Sequence, residues 1–357
     1  IRQLPGVGVE CRGLVAGSGR AAADSGGRVR AFAAADGSAP KRWSGVRAAV
    51  GEELASAQVD LVVSHFAFYT FPVLGLIASQ RRPLVVHFHG PWGAESRLEG
   101  AGRVAGGLKA MVERRVYRRA KRLIVLCDPY RRMLVSDFGV AEDRIRRVPP
   151  GMDTARFHTG LSRIEARERL GWSKDRPIVF VVRRLVSRMG LEDLIDAVVD
   201  VRKRVPEVLV LIAGKGRLSA SLQERINSGR LHEHIKLLGF VPDADLPVAY
   251  TAADLTVVPT VALEGFGMVV IESLAAGTPV LVTPVGGLPD GIIGLAPDLV
   301  LPSNGAAALT EGMVGVLKGK TPVPTREECR EHAEKNFDWR VIANKVRGVY
   351  EEALRDS

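Results

Sequence analysis

Two glutamates, Glu264 and Glu272, stand in "ALEGFGMVVIESLAAGTPVLVTPVGG", residues 262–287, around the run Gly265, Phe266, Gly267 and ahead of a second glycine pair, Gly286 and Gly287. A carboxylate accepts hydrogen bonds from sugar or ribose hydroxyls, and the free amides of a helix start hold an anion. Taken singly, each glutamate also fits a structural role, a helix cap for Glu264 and a solvated helix face for Glu272. Upstream, "VVRRLVSRMG" at 181–190 places Arg184 and Arg188 between a strand and a helix starting near Gly190. Guanidinium groups in such a place suit a diphosphate, although two surface arginines would look the same. "LIAGKGRL" at 211–218 follows a strand with Gly214, Lys215 and Gly216, which admit a ligand close to the backbone or simply make a tight turn. In "VVHFHG" at 85–90, His87 falls within a strand and reads as packed, while His89 falls at its end and reads as functional. "PDADL" at 242–246 has the form of a metal-binding DxD, but N-terminal capping of the next helix by Asp243 or Asp245 explains it more simply. No metal is expected.

The elements that position these residues alternate. Short β-branched runs at 59–63, 84–88, 122–126, 177–182, 208–213 and 255–259 are separated by helical patterns, which indicates α/β architecture with parallel sheets. Ligands of such sheets bind beyond the carboxyl ends of the strands, where the candidates above lie, His87 excepted. Pro149, Pro150 and Gly151 interrupt regular structure in "VPPGMDTARFHTG", 148–160, and mark a domain boundary. The final segment 337–354 reads as a long helix. The apolar run 61–78 is broken by Ser64, His65 and Pro72, so strand, turn and helix suit it better than a membrane span.

At 357 residues the chain suggests two domains, and its 46% hydrophobic and 25% charged content is that of a soluble globular protein. The net charge of +10 favours anionic partners. Some of it lies in "RVAGGLKAMVERRVYRRAKR", 103–122, whose Arg114, Arg115, Arg118, Arg119, Lys121 and Arg122 either complement the helix dipole or touch a membrane. Cys11, Cys127 and Cys329 are widely separated and form no CxxC pair, which argues against a disulfide framework or zinc site and for a cytoplasmic setting.

Assembled, these motifs resemble family 4 glycosyltransferases of the GT-B fold. The second half is similar to that family in order: "RRLVSRMG" for its "GRLVxxKG"-like loop, "LIAGKG", "LLGFVPDADLPVAYTAADLTVVPT", the E-x7-E run from Glu264 to Glu272, then "GTPVLVTPVGG". The first half resembles it at 103–134 and at "IRRVPPGMDTARF". The resemblance implies two Rossmann-like parallel-sheet domains facing each other across a cleft: an acceptor-binding domain over 1–155, a nucleotide-sugar donor domain over 156–336, and a helix over 337–357 returning to the first. It also implies that the family's first strand and glycine-rich loop precede Ile1, the opening stretch being the end of a first helix and a second strand.

Residue by residue, the resemblance assigns Arg184 and Arg188 to the donor diphosphate, with the family lysine replaced by Met189. Gly214 and Lys215 line the donor site. Glu264 and the amides of Gly265, Phe266 and Gly267 hold donor-sugar hydroxyls, Glu272 the ribose, and the backbone at Phe240 and Val241 the base. His89 touches the sugar, and Gly286 and Gly287 let the chain pass close to the donor. Replacing Glu264 or Arg184 by alanine is expected to abolish transfer and leave folding intact. The implied reaction is retaining transfer from a UDP- or GDP-sugar to a hydroxyl acceptor, a natural product, lipid or glycan, with no cofactor. The acceptor would bind around 66–71 and 90–100, where Phe68, Tyr69 and Trp92 are either core or stacking groups. The helix 103–122 is a candidate peripheral contact with the inner face of the membrane. A nucleotide-sugar epimerase or hydrolase is the second reading. Nucleic-acid binding is the third, weakened by an aromatic content of only 6% and the lack of a recognised module.

Overall fold

The structure, a computed structural model, describes residues 2–17, 20–56, 58–98 and 102–356. Two compact units are present: Ile1–Pro149 with Arg340–Ser357, and Pro150–Trp339. The division falls where adjacent prolines, Pro149 and Pro150, remove two successive backbone donors.

In the first unit β1 (Gly13–Ala16) and β2 (Val29–Ala33) form a parallel pair. Strands β3 (Val62–Ser64), β4 (Leu84–Phe88), β5 (Arg122–Val125) and β6 (Ile145–Arg147) form a parallel sheet in that order. The opening residues make a 3-10 turn, Leu4–Val7, where the sequence suggested the end of a helix. The strand expected at 59–63 begins only at Val62, which pairs with Leu84. Its neighbour is preceded by Pro83, which has no amide to extend the ladder. The apolar run beyond β3 continues as short helices, Ala67–Thr70 and Leu74–Ser79, with Pro72 in the turn between them.

The last helix runs Trp339–Arg355 rather than from 337, because Phe337 ends the preceding helix and Asp338 is extended. Its Ile342, Val346, Val349, Tyr350 and Ala353 recur at helical spacing and pack with Val85 of β4, Ile124 of β5 and Val148. Full burial of each large aliphatic side chain contributes about 1.5–3 kcal/mol, so this face holds the helix to the sheet.

The basic segment is helical over Arg103–Arg119 and stops before Arg122, which belongs to β5. Much of its charge is engaged within the unit. Arg114 donates to the Asp137 carbonyl at 2.6 Å and Arg118 to the Phe138 carbonyl at 2.9 Å, while Arg122 pairs with Glu352 and Asp356. Glu113 on the same helix is fully buried. It accepts from the amides of Trp92 and Gly93 at 2.9 and 3.0 Å and from the Tyr117 hydroxyl at 3.0 Å. The carboxylate thus satisfies the free amides that open the helix Trp92–Leu98.

The second unit is a five-stranded parallel sheet in the order β11-β10-β7-β8-β9. Its strands are β7 (Ile178–Val182), β8 (Leu209–Ala213), β9 (Ile235–Gly239), β10 (Leu255–Val258) and β11 (Val280–Val282). Ile178, Val179, Phe180 and Val181 are all 0% exposed, which explains the unbroken apolar runs where a half-exposed strand would alternate. From β7 the chain builds outward through β8 to β9, then returns to lay β10 on the other side of β7. The order therefore reverses between β7 and β10, and at such a switch point the flanking loops diverge and leave a crevice beyond the strand ends.

Candidate functional site

The loops leaving β7 and β10 meet at this switch point through an ion pair. Arg183 Nη1 lies 3.0 Å from Glu264 Oε2, with only 6% and 13% of the two side chains exposed. Burial lowers the pKa of the guanidinium from its ordinary value, and the charge of Glu264 opposes that shift. The hydroxyl of Thr260 stands 3.5 Å from the same Glu264 oxygen and 4.0 Å from the sulfur of Met189, which is itself buried. Glu264 is thus an ion-pair partner and not a helix cap. The residue that precedes the helix Met268–Ala275 is Gly267, with φ +80°.

Glu272 lies one turn into that helix and faces inward rather than solvent. Its Oε2 accepts from the Tyr250 hydroxyl at 2.8 Å, and burial raises its pKa despite that bond. Two glycines make the crowding possible. A Cβ on Gly286 would lie 1.7 Å from the Glu264 carbonyl oxygen, and one on Gly214 would lie 1.8 Å from the Arg183 carbonyl oxygen. The Gly287 amide donates to the Glu264 carbonyl at 3.3 Å.

The remaining donor-site candidates ring this centre at the carboxyl ends of β7, β8 and β9. Arg184 is exposed, and its side chain makes no hydrogen bond or ion pair among the described residues. Arg188 is half-buried in the turn Ser187–Met189 and donates through Nη1 to the Leu263 carbonyl at 2.8 Å. Leu263, just ahead of Glu264, has a φ of +50°, uncommon for a branched side chain. Lys215 is exposed with its ammonium 5.5 Å from the ring centre of Phe240, itself 64% exposed, and Val241 follows. Gly265 is half-buried and Phe266 is buried with its ring against Phe337, which leaves only its backbone for a ligand.

Asp243 and Asp245 do not cap the helix Leu246–Ala252, contrary to the sequence reading. Asp245 precedes the helix with helical backbone angles, φ −93° and ψ −17°, and makes no capping bond. An N-cap needs an extended backbone and a free second or third amide, and Pro247 has removed the second. Asp243 instead lies 3.5 Å from Arg156 Nη2.

In the first unit, His65, His87 and His89 gather at the ends of β3 and β4. His65 Nδ1 is 3.0 Å from His89 Nε2, the rings of His65 and His87 stack at 4.5 Å, and His87 Nε2 is 3.1 Å from the Tyr350 hydroxyl. Burial, then the charge of His89, brings the His65 pKa to about 4. Burial also lowers those of His87 and His89. All three shifts favour the uncharged ring, although His65 and His89 keep exposed surface. Phe66, Phe68, Tyr69 and Trp92 form an edge-to-face cluster beside them, with Phe66 40% exposed. Of the 90–100 segment, residues 99 and 100 lie outside the described residues.

Residues 1–156 match the family described as Glycosyltransferase Family 4, and residues 162–336 match Glycosyl transferases group 1. A phosphatidyl-myo-inositol mannosyltransferase of Mycobacterium tuberculosis is 30% identical over 301 residues, which span 83% of this chain and 75% of that protein. The chain belongs to glycosyltransferase family 4. A D-inositol 3-phosphate glycosyltransferase of Saccharomonospora viridis is also 30% identical, over 83% of this chain and 70% of its own. Among solved structures, a glycosyltransferase from Rickettsia africae superposes with a TM-score of 0.79 at 16% identity, covering 100% of this chain and 94% of its own. Anabaena Alr3699/HepE in complex with UDP gives 0.75 at 20% identity, covering 93% and 88%. The fold is GT-B, and the enzyme is a transferase that moves a sugar from a nucleotide-sugar donor to a hydroxyl acceptor.

In this glycosyltransferase the sequence reading missed Arg183 and Tyr250, both buried and both bonded to the E-x7-E glutamates. Arg183 was readable as an arginine where the resembled motif has glycine. Tyr250 carried no signal, since nothing in the order of residues places its hydroxyl against Glu272.

Proposed function

We propose that the enzyme is a retaining, metal-independent transferase that uses a UDP- or GDP-sugar and glycosylates an inositol-containing or lipid-linked hydroxyl acceptor at a membrane surface. The carrying observation is the convergence, at one switch point, of the Glu264 carboxylate, the start of the helix Met268–Ala275 and the backbone of Gly286 and Gly287. A carboxylate beside free amides suits a sugar hydroxyl next to a phosphate.

Glu264 and the amides of Gly265, Phe266 and Gly267 hold sugar hydroxyls, and Glu272 receives the ribose on Oε1, since Oε2 already accepts from Tyr250. Phe240 and Val241 meet the base, with Gly214 and Lys215 beside them. Arg184, unengaged at the surface, neutralises the diphosphate, while Arg188 acts on it through the loop it braces. His89 is assigned to the donor sugar on the resemblance, and the uncharged ring that its pKa shift favours suits a hydroxyl contact. The leaving phosphate takes the acceptor proton on the face it departs from, so the protein's work is to position both substrates and stabilise phosphate charge.

The acceptor reading draws on relatives named for phosphatidyl-inositol and inositol phosphate, and on one named as GDP-mannose-dependent. It also draws on the helix Arg103–Arg119, where Val104, Leu108 and Met111 are 79%, 58% and 57% exposed along one face, among cations. Incubation with UDP- and GDP-sugars, with phosphatidylinositol vesicles or inositol phosphate, tests the whole. The expected product carries the donor's anomeric configuration and forms equally in EDTA. An inverted product removes the retaining mechanism, and donor isomerisation or hydrolysis unaffected by any acceptor removes the transferase reading.

A further inference from the structure

The ion pair at the switch point leaves part of Arg183 unexplained. The residue is 8% exposed, its Nη1 faces Glu264, and its Nε and Nη2 are buried with no hydrogen-bond partner among the described residues. Buried guanidinium nitrogens are ordinarily satisfied, so two free donors on one side chain point to an acceptor that the folded chain does not itself supply. Their surroundings say what kind. Nη2 would lie 3.7 Å from a Cβ placed on Gly267, the residue that opens the helix Met268–Ala275, where the Leu288 and Val270 side chains come within 2.4 and 3.6 Å of the same position. The amide of Val270 already donates to the Gly267 carbonyl at 2.9 Å, but those of Met268 and Val269 have no intrahelical acceptor, and with the guanidinium they make two independent anion-favouring features at one spot.

Position 189 adds a third observation. Set against "GRLVxxKG", this chain reads "RRLVSRMG", with arginine gained at 183 and lysine lost at 189. The two positions converge on one carboxylate: Met189 contacts Thr260, Thr260 faces Glu264 Oε2, and Arg183 pairs with that same oxygen. Neither of the other arginines fills this place. Arg184 is exposed, and Arg188 is turned to the Leu263 carbonyl.

We infer that Arg183 is a donor-binding residue whose Nε and Nη2 bind a phosphate oxygen of the nucleotide diphosphate against the start of the helix Met268–Ala275, replacing the cation lost at Met189. The inference rests on the nucleotide-sugar reading above. A planar fork gives this cation two parallel donors where an ammonium gives a point charge. Because the pair with Glu264 uses only Nη1, the same guanidinium links the residue assigned to the sugar with the phosphate next to it.

Calorimetric titration of the full chain with UDP and GDP, carrying no sugar, separates this role from that of Glu264. Arg183→Met should weaken the nucleoside diphosphate that the unaltered enzyme binds by about tenfold or more, a difference of about 1.4 kcal/mol, and leave the nucleoside alone unchanged. Arg183→Gly combined with Met189→Lys should recover most of the loss. Should Arg183→Met leave Glu264 too exposed to fold, Arg183→Met with Glu264→Gln removes both charges and is expected to show the same loss. Nucleoside diphosphate affinity unchanged in either folded variant overturns the inference, as does a loss confined to a nucleotide-linked uronic acid, which would assign Arg183 to a sugar carboxylate. If the unaltered enzyme binds no nucleotide, the donor reading itself fails, a distinct result from a variant that binds as well as its parent.

Discussion

Replacing Glu264 by alanine should destabilise the second unit as well as remove the sugar contact proposed for it. The Arg183 guanidinium would keep its charge in a site where 6% of its side chain reaches water and where Nε and Nη2 already lack partners among the described residues. Removing one member of a buried pair costs about 3–5 kcal/mol, because the other charge stays behind. Glu264 keeps 13% of its side chain exposed, and water entering the truncated site would relieve some of this, so the lower end applies. For a domain of this size about 3 kcal/mol lowers Tm by about 6–12 °C. Glu264→Gln retains an acceptor for Nη1 and should cost about 1–2 kcal/mol. Calorimetric melting of both variants, alongside Arg183→Met and the double variant Arg183→Met with Glu264→Ala, forms a double-mutant cycle. The double variant should be more stable than Glu264→Ala alone. Melting of Glu264→Ala within about 2 °C of the parent would refute the argument that this is a buried, uncompensated charge. The sequence reading expected folding to survive this substitution untouched, since the partner at 183 was not visible there.

Acid should weaken the first unit before its carboxylates titrate. The His65 pKa falls from an ordinary 6.5 to about 4 in the fold, so the unfolded chain takes up a proton that the native one refuses. The stability is complete above about pH 6.5 and is lost as pH falls toward 4, with His87 stacked on His65 and His89 within hydrogen-bond reach of it as the facing groups. The exposed edge of His65 makes the effect smaller than for a sealed ring. Tm measured from pH 7 to 5 should fall less steeply in His65→Gln, and an unchanged slope would sink the assignment. At the membrane, Val104, Leu108 and Met111 all changed to serine should reduce sedimentation with phosphatidylinositol-containing vesicles several-fold while UDP or GDP binding stays unchanged; full retention of vesicle binding would move the contact elsewhere.

What the order of residues determined was the alternation of buried strands and helices, the interruption of regular structure at Pro149 and Pro150, and the position of most donor-site candidates in loops that follow strands. These follow from local rules: apolar period, proline's missing amide and the sequence spacing of glycines and glutamates. The stretch from Glu264 to Gly287 was legible as a glycine turn, a helix and a strand with a second glycine pair, whereas the approach of Gly286 to the Glu264 carbonyl is a tertiary contact. Tertiary structure decided the partners. Arg183 precedes the expected Arg184 by one position, yet the two differ in burial because successive residues leaving a strand point to opposite sides. Glu272 met Tyr250 across two helices, and Asp245 lost its capping role to a backbone angle and a proline. Pairings of this kind join residues whose separation along the chain, 81 positions between Arg183 and Glu264, exceeds the reach of any local pattern. They form only when the order of strands brings β10 back beside β7.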